Sequence, residues 1–177
     1  ARPEWRGHVA MYQNAFEWFG TLSKYFGKEK AEQLLRGYAA NQPRLVASKS
    51  LAVNMLASGE VAGVAVAYAY DVNNARKSGA AIEFVNPNPV VVELHCIAVS
   101  KTAPHPNAAR LLERWWLSHT TQVWLRDGLG RISGRRDVKT DPRLFDPKAH
   151  YVVSEPADAD HAADVMKTYN EIYNIPA

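Results

Sequence analysis

What these 177 residues have little of bounds what the chain can be. There is one cysteine, Cys96, so no intrachain disulfide can form and thiol content does not report the compartment. Apolar runs are short or interrupted, well under the roughly 20 residues that a membrane-spanning helix needs. Charge of one sign is scarce: 21 Lys and Arg against 18 Asp and Glu leave a net +3, with no polybasic arm. Nucleic acid would call for a clustered basic face with interleaved aromatics, so no nucleic-acid partner is expected. The histidines lack zinc-type spacing, and no phosphate loop, nucleophile elbow or hydrolase-type carboxylate pair occurs. Neither an initiator methionine nor a signal peptide precedes Ala1, so the chain is expected to be processed or cut from something longer.

What is present is ordinary for a soluble globular protein: 47% hydrophobic and 22% charged residues, enough for one good core or two small ones. Val9-Ala10-Met11 reads as a short buried strand. Phe16, Phe19, Leu22 and Phe26 then recur at helical spacing, and Gly27 ends that helix. A second helix over 28–40 stops at Asn41-Gln42-Pro43. Residues 44–47 predict a strand leading into a helix that opens on Ser48-Lys49-Ser50, whose hydroxyls can cap free N–H groups, and closes on Gly59. The run 61–70 is apolar on both faces, as in a covered central strand, and Asp71 is placed to cap a short helix ending at Gly79. Strands alternating with helices argue an α/β layer with a mixed or parallel sheet flanked by helices.

Ile82 to Val85 predicts a further strand, and Asn86-Pro87-Asn88-Pro89 marks a break in composition. Beyond it, Val90 to Val99 predicts one long strand, with Cys96 buried as an inert thiol and His95 on the opposite face. A helix from Asn107 to Leu125, a turn at Gly128-Leu129-Gly130 carrying Arg131, Arg135 and Arg136, and a last helix from about Asp158 to Tyr173 complete the chain. Glu155, Asp158, Asp160 and Asp164 suit the start of that helix through its dipole. The division expected is 1–89 as an α/β domain and 90–177 as a crossover strand with C-terminal helices. Trp115, Trp116, Leu117 and Trp124 carry too much apolar surface to leave wet at about 25 cal/mol per Å². They are expected to fold back onto the chain's own sheet or to pair with a second copy.

The order of several short patterns carries a resemblance. They are Pro3-Glu4-Trp5-Arg6-Gly7-His8-Val9-Ala10, the Asn41-Gln42-Pro43 helix end, the helix opening at Ser48, a strand ending in tyrosine, and Lys77-Ser78-Gly79-Ala80. Ala103-Pro104-His105-Pro106-Asn107-Ala108-Ala109 and Gly130-Arg131-Ile132-Ser133-Gly134-Arg135-Arg136-Asp137-Val138 complete the set. Together they resemble the C-terminal half of a bacterial extracellular solute-binding protein of an ABC importer, a type II periplasmic binding protein of the ferric-iron-binding kind. The resemblance implies a periplasmic or extracellular location, an ABC permease as partner, no catalysis, and a ligand held in a cleft between two lobes. It also implies that 1–89 is the second lobe and that the helices after the crossover belong to the first.

For a small anion or a metal–anion pair, such a cleft needs free N–H donors, hydroxyls and phenols. Ser48 and Ser50 sit at a helix start, where the alternative role is plain capping. Tyr68 and Tyr70 would share one strand face and could ligate Fe(III) alongside a synergistic anion, or simply pack at a sheet edge. In the iron-binding members the tyrosines are usually adjacent, whereas Ala69 separates them here. Tyr12 and Asn14 end the first strand, and Glu93 shares a strand face with His95. The expected ligand residues are thus Tyr12, Asn14, Ser48, Ser50, Tyr68, Tyr70 and Glu93, with Tyr68 and Tyr70 as the metal pair and no resident cofactor. The rivals are an effector-sensing or enzymatic domain on the same α/β lobe and an interaction module using the Trp-rich helix.

Overall fold

Val9, Ala10 and Met11 are consecutive and all buried, a pattern that suits a strand covered on both faces. In the computed structural model of this chain they form β1 (Val9–Tyr12), the middle strand of a three-stranded parallel sheet. On one side it pairs with β2 (Arg44–Val46), Tyr12 opposite Val46; on the other with β3 (Gly63–Val64), Ala10 opposite Val64. Ala10 faces a small cluster with Val46, Ala52 and Val61 beneath α3 (Lys49–Ala57). Met11 faces the larger core of Phe19, Leu22, Leu35, Val165 and Tyr169, drawn from α1 (Phe16–Phe26), α2 (Lys28–Ala40) and α7 (Ala159–Tyr173). The protein is therefore an α/β chain with small parallel sheets covered by helices.

Residues 3–142, 144–154 and 159–176 are described. They divide into two compact units: Ala1–Glu93 with Ala149–Ala177, and Leu94–Lys148. Glu155 and Asp158, expected at the start of the last helix, lie outside the described residues, as does the side chain of Asp160.

Four expected elements differ. Only Gly63–Val64 of the 61–70 run is strand, because Ala65, Ala67 and Ala69 bring no β-branched bulk, and α4 (Ala69–Lys77) already starts at Ala69. Gly63 is required where it lies: a Cβ there would come within 2.5 Å of the Trp5 ring. No strand forms at 82–85; Glu83 pairs with Arg76 at 2.8 Å and Val85 is exposed. The long strand of 90–99 stops after three residues as β4 (Val90–Val92), parallel to β5 (Tyr151–Val153). Its last ladder bond is Ser154 N–H to the Val92 carbonyl, and Leu94 beyond it is exposed. Cys96 is accordingly exposed outside any strand, which corrects the expectation of a buried thiol.

Within 94–148, the single helix expected from Asn107 is two. α5 (Pro106–Trp116) ends at Leu117, and α6 (His119–Leu129) starts afresh because Ser118 adopts extended backbone and its Oγ accepts from Thr121 N–H at 3.3 Å. Gln122 donates to the Trp116 carbonyl and Arg135 to the Leu117 carbonyl, so polar side chains tie the break together. Within this unit the apolar helix faces are not covered by its own described residues: Leu111, Leu112, Trp115, Trp116, Leu117 and Trp124 are exposed.

Candidate functional site

β2 and β3 flank β1 on opposite sides, so the connection after β1 runs one way across the sheet and the connection after β2 runs back the other way. Open α/β sheets place their crevice at the carboxyl ends of strands at such a switch. Tyr12 ends β1, Asn14 follows it, and Tyr68 precedes α4 in extended backbone. At that edge lies a pocket of about 230 Å³, lined by Tyr12, Asn14, Lys49, Tyr68 and Glu93 together with Phe16, Glu17 and Trp18.

Lys49 organises the pocket. The Ser48 Oγ accepts from Leu51 N–H at 3.0 Å and so makes Lys49 the first residue of α3. A helix start carries partial positive charge, so a lysine there works against the dipole, and this one is only 8% exposed. Lysine is rarely buried unless paired. The partner is Glu93, whose two carboxylate oxygens accept from Nζ at 2.6 and 2.9 Å. The Tyr68 hydroxyl donates to the same carboxylate at 2.9 Å. Lys49 Nζ also stands 4.0 Å from the centre of the Tyr68 ring and 5.5 Å from that of Tyr12, within cation–π range.

Tyr12 is held from behind. The Tyr169 hydroxyl, on α7, donates to the Tyr12 carbonyl at 2.9 Å, and the Tyr173 hydroxyl to Met11 Sδ at 2.8 Å. Burial pushes both phenols far above the ordinary tyrosine range, keeping them neutral donors.

Of the expected ligand residues, Tyr12, Asn14, Tyr68 and Glu93 share this pocket. Ser48 serves as the helix cap. Ser50 donates to Asp71 at 2.9 Å and lines a separate open groove between α3 and α4, of about 570 Å³. Tyr70 lies on α4 rather than on a strand, its ring stacked on that of Tyr68 at 5.0 Å and 16°, so strand alternation is not what pairs the two. Likewise Glu93 and His95 do not share a strand face, since β4 ends at Val92. Among the described residues, no three His, Cys, Asp or Glu side chains converge to hold a metal. Lys49 escaped the sequence reading, although a cation between two serines at a helix start, against the dipole, was a legible signal.

A scan of protein-family models returns no match for this chain, and no curated protein matches it by sequence.

Proposed function

We propose that this chain is a partial solute-binding component of an ABC-type importer, a type II lobe acting in the periplasm or outside the cell, that binds a small anion and presents it to a permease. The observation that carries the reading is the convergence of one buried ammonium, two phenols and an amide at the carboxyl edge of a parallel sheet. A cation held in low dielectric and backed by a helix start requires an oxyanion as counter-charge, a place that Glu93 fills in the free chain and a ligand can take over. Ferric iron with a synergistic anion is the alternative ligand: Tyr68 and Glu93 supply hard oxygen, while Lys49 opposes a trivalent cation at the same place. No helix among the described residues is long and apolar enough to cross a membrane, in keeping with a chain that is not itself membrane-embedded but is met by a permease that is.

Isothermal titration with citrate, acetate, phosphate, sulfate and Fe(III)-citrate tests the reading. Saturable anion binding is expected in the high micromolar to millimolar range, as suits an open pocket smaller than the roughly 300–1,000 Å³ of ordinary ligand sites. Lys49→Met should remove it. Heat only with Fe(III)-citrate, unchanged by Lys49→Met, would favour the metal over the anion. The rival interaction-module reading rests on the exposed Trp115 and Trp124, and self-association seen by light scattering would support it.

A further inference from the structure

We infer that Glu93 is an internal stand-in for the ligand, so that the site takes carboxylates and binds them by displacing this side chain. The inference rests on the anion-site reading above and adds the ligand class. Three donor contacts converge on one carboxylate: both oxygens of Glu93 on Lys49 Nζ, and Oε2 on the Tyr68 hydroxyl. The acceptor that fills this set in the free chain is a planar two-oxygen group, and a ligand carboxylate reproduces its geometry directly. Glu93 is also the group free to leave. Its side chain is 20% exposed against 8% for Lys49, β4 ends one residue before it, and no helix or strand holds 93–105. Lys49, by contrast, is fixed in α3. When Glu93 swings out it enters water at little cost, whereas Lys49 stays buried and needs a new counter-charge. A ligand carboxylate supplies it, received by Nζ and the Tyr68 hydroxyl while Tyr12 and Trp18 cover its carbon chain.

Displacement fixes how the wild-type chain should behave. A tethered competitor lowers apparent affinity by the fraction of time the site stands open. If Glu93 is out for about 1–10% of the time, removing its charge raises carboxylate affinity about 10–100-fold.

The test is titration calorimetry of acetate and citrate into the wild-type chain, Glu93→Gln, and Glu93→Gln combined with Lys49→Met, with phosphate and sulfate as controls. The expected result is at least tenfold tighter carboxylate binding by Glu93→Gln, a smaller gain for phosphate and sulfate, and none in the double variant. Equal or weaker carboxylate binding by Glu93→Gln would overturn the stand-in role while leaving the anion site in place. Absence of binding in the wild-type chain and in Glu93→Gln alike would overturn the anion site itself. Should Glu93→Gln be too unstable to titrate, its melting temperature is followed instead. A saturating rise with acetate, absent with chloride at equal ionic strength, supports the stand-in; equal rises with both overturn it.

Discussion

The two units use apolar residues in opposite ways. In 1–93 with 149–177, a three-residue stretch of β1 feeds clusters on both sheet faces, and Tyr169 is completely buried. In 94–148, where three of the five tryptophans lie, the buried apolar side chains among the described residues are Leu125, Val138 and Leu144, and the tryptophans stay half exposed. Order there comes from polar detail: the Ser118 cap, Gln122 on the Trp116 carbonyl, and Arg135 held bidentate by Asp137 at 2.7–2.8 Å. That last pair keeps the Asp137 carboxyl below the ordinary range through the Arg135 hydrogen bonds, but in full solvent it contributes little to stability. Apolar content therefore does not make a core; a sheet with two faces to cover does.

The sharpest way to break this contrast is to truncate one aromatic from each unit. Tyr169→Ala empties a sealed site and removes the bond to the Tyr12 carbonyl, and should cost about 3–5 kcal/mol by denaturant unfolding. Trp115→Ala, on an exposed face, should change stability by less than about 0.5 kcal/mol. A comparable loss from both would mean that the tryptophan face is covered in solution.

Alkali distinguishes the units as well, since all eight tyrosines lie outside 94–148. The raised phenols of Tyr169 and Tyr173 hold their protons more tightly folded than unfolded. Their contribution is complete below the unfolded value near ~10 and is lost as pH climbs above it toward the folded values. Tyrosinate absorbance should rise in two steps, exposed phenols first and the buried pair only with loss of secondary structure. A single step without unfolding would contradict their burial.

The smallest expected difference is between the two serine caps. Ser48→Ala and Ser118→Ala each lose one side-chain bond to a backbone N–H, at about 1 kcal/mol apiece. Ser48→Ala should also weaken anion binding, because it loosens the turn that seats Lys49.

Sequence patterns were most legible where local chemistry decides structure. The helix over 28–40, the Ser48 cap, the left-handed Gly59 and the proline at the start of α5 follow from residue type alone. Strand lengths were not legible, because they depend on which neighbour is there to pair: the valine run at 90–92 ends where β5 ends, whatever follows it. Tyr12, Asn14, Tyr68 and Glu93 could be named singly from their places at element ends. That they meet around Lys49 could not, since residues 12, 49, 68 and 93 come from two separate sheets and two helix starts and are joined only by tertiary packing.

The most direct measurement of the central claim, that Lys49 is the buried cation of an anion site, is citrate titration of the wild-type chain beside Lys49→Met, both checked for folding by circular dichroism. The expected result is saturable heat for the former and only dilution heat for the latter. Matching isotherms from two folded proteins would contradict it.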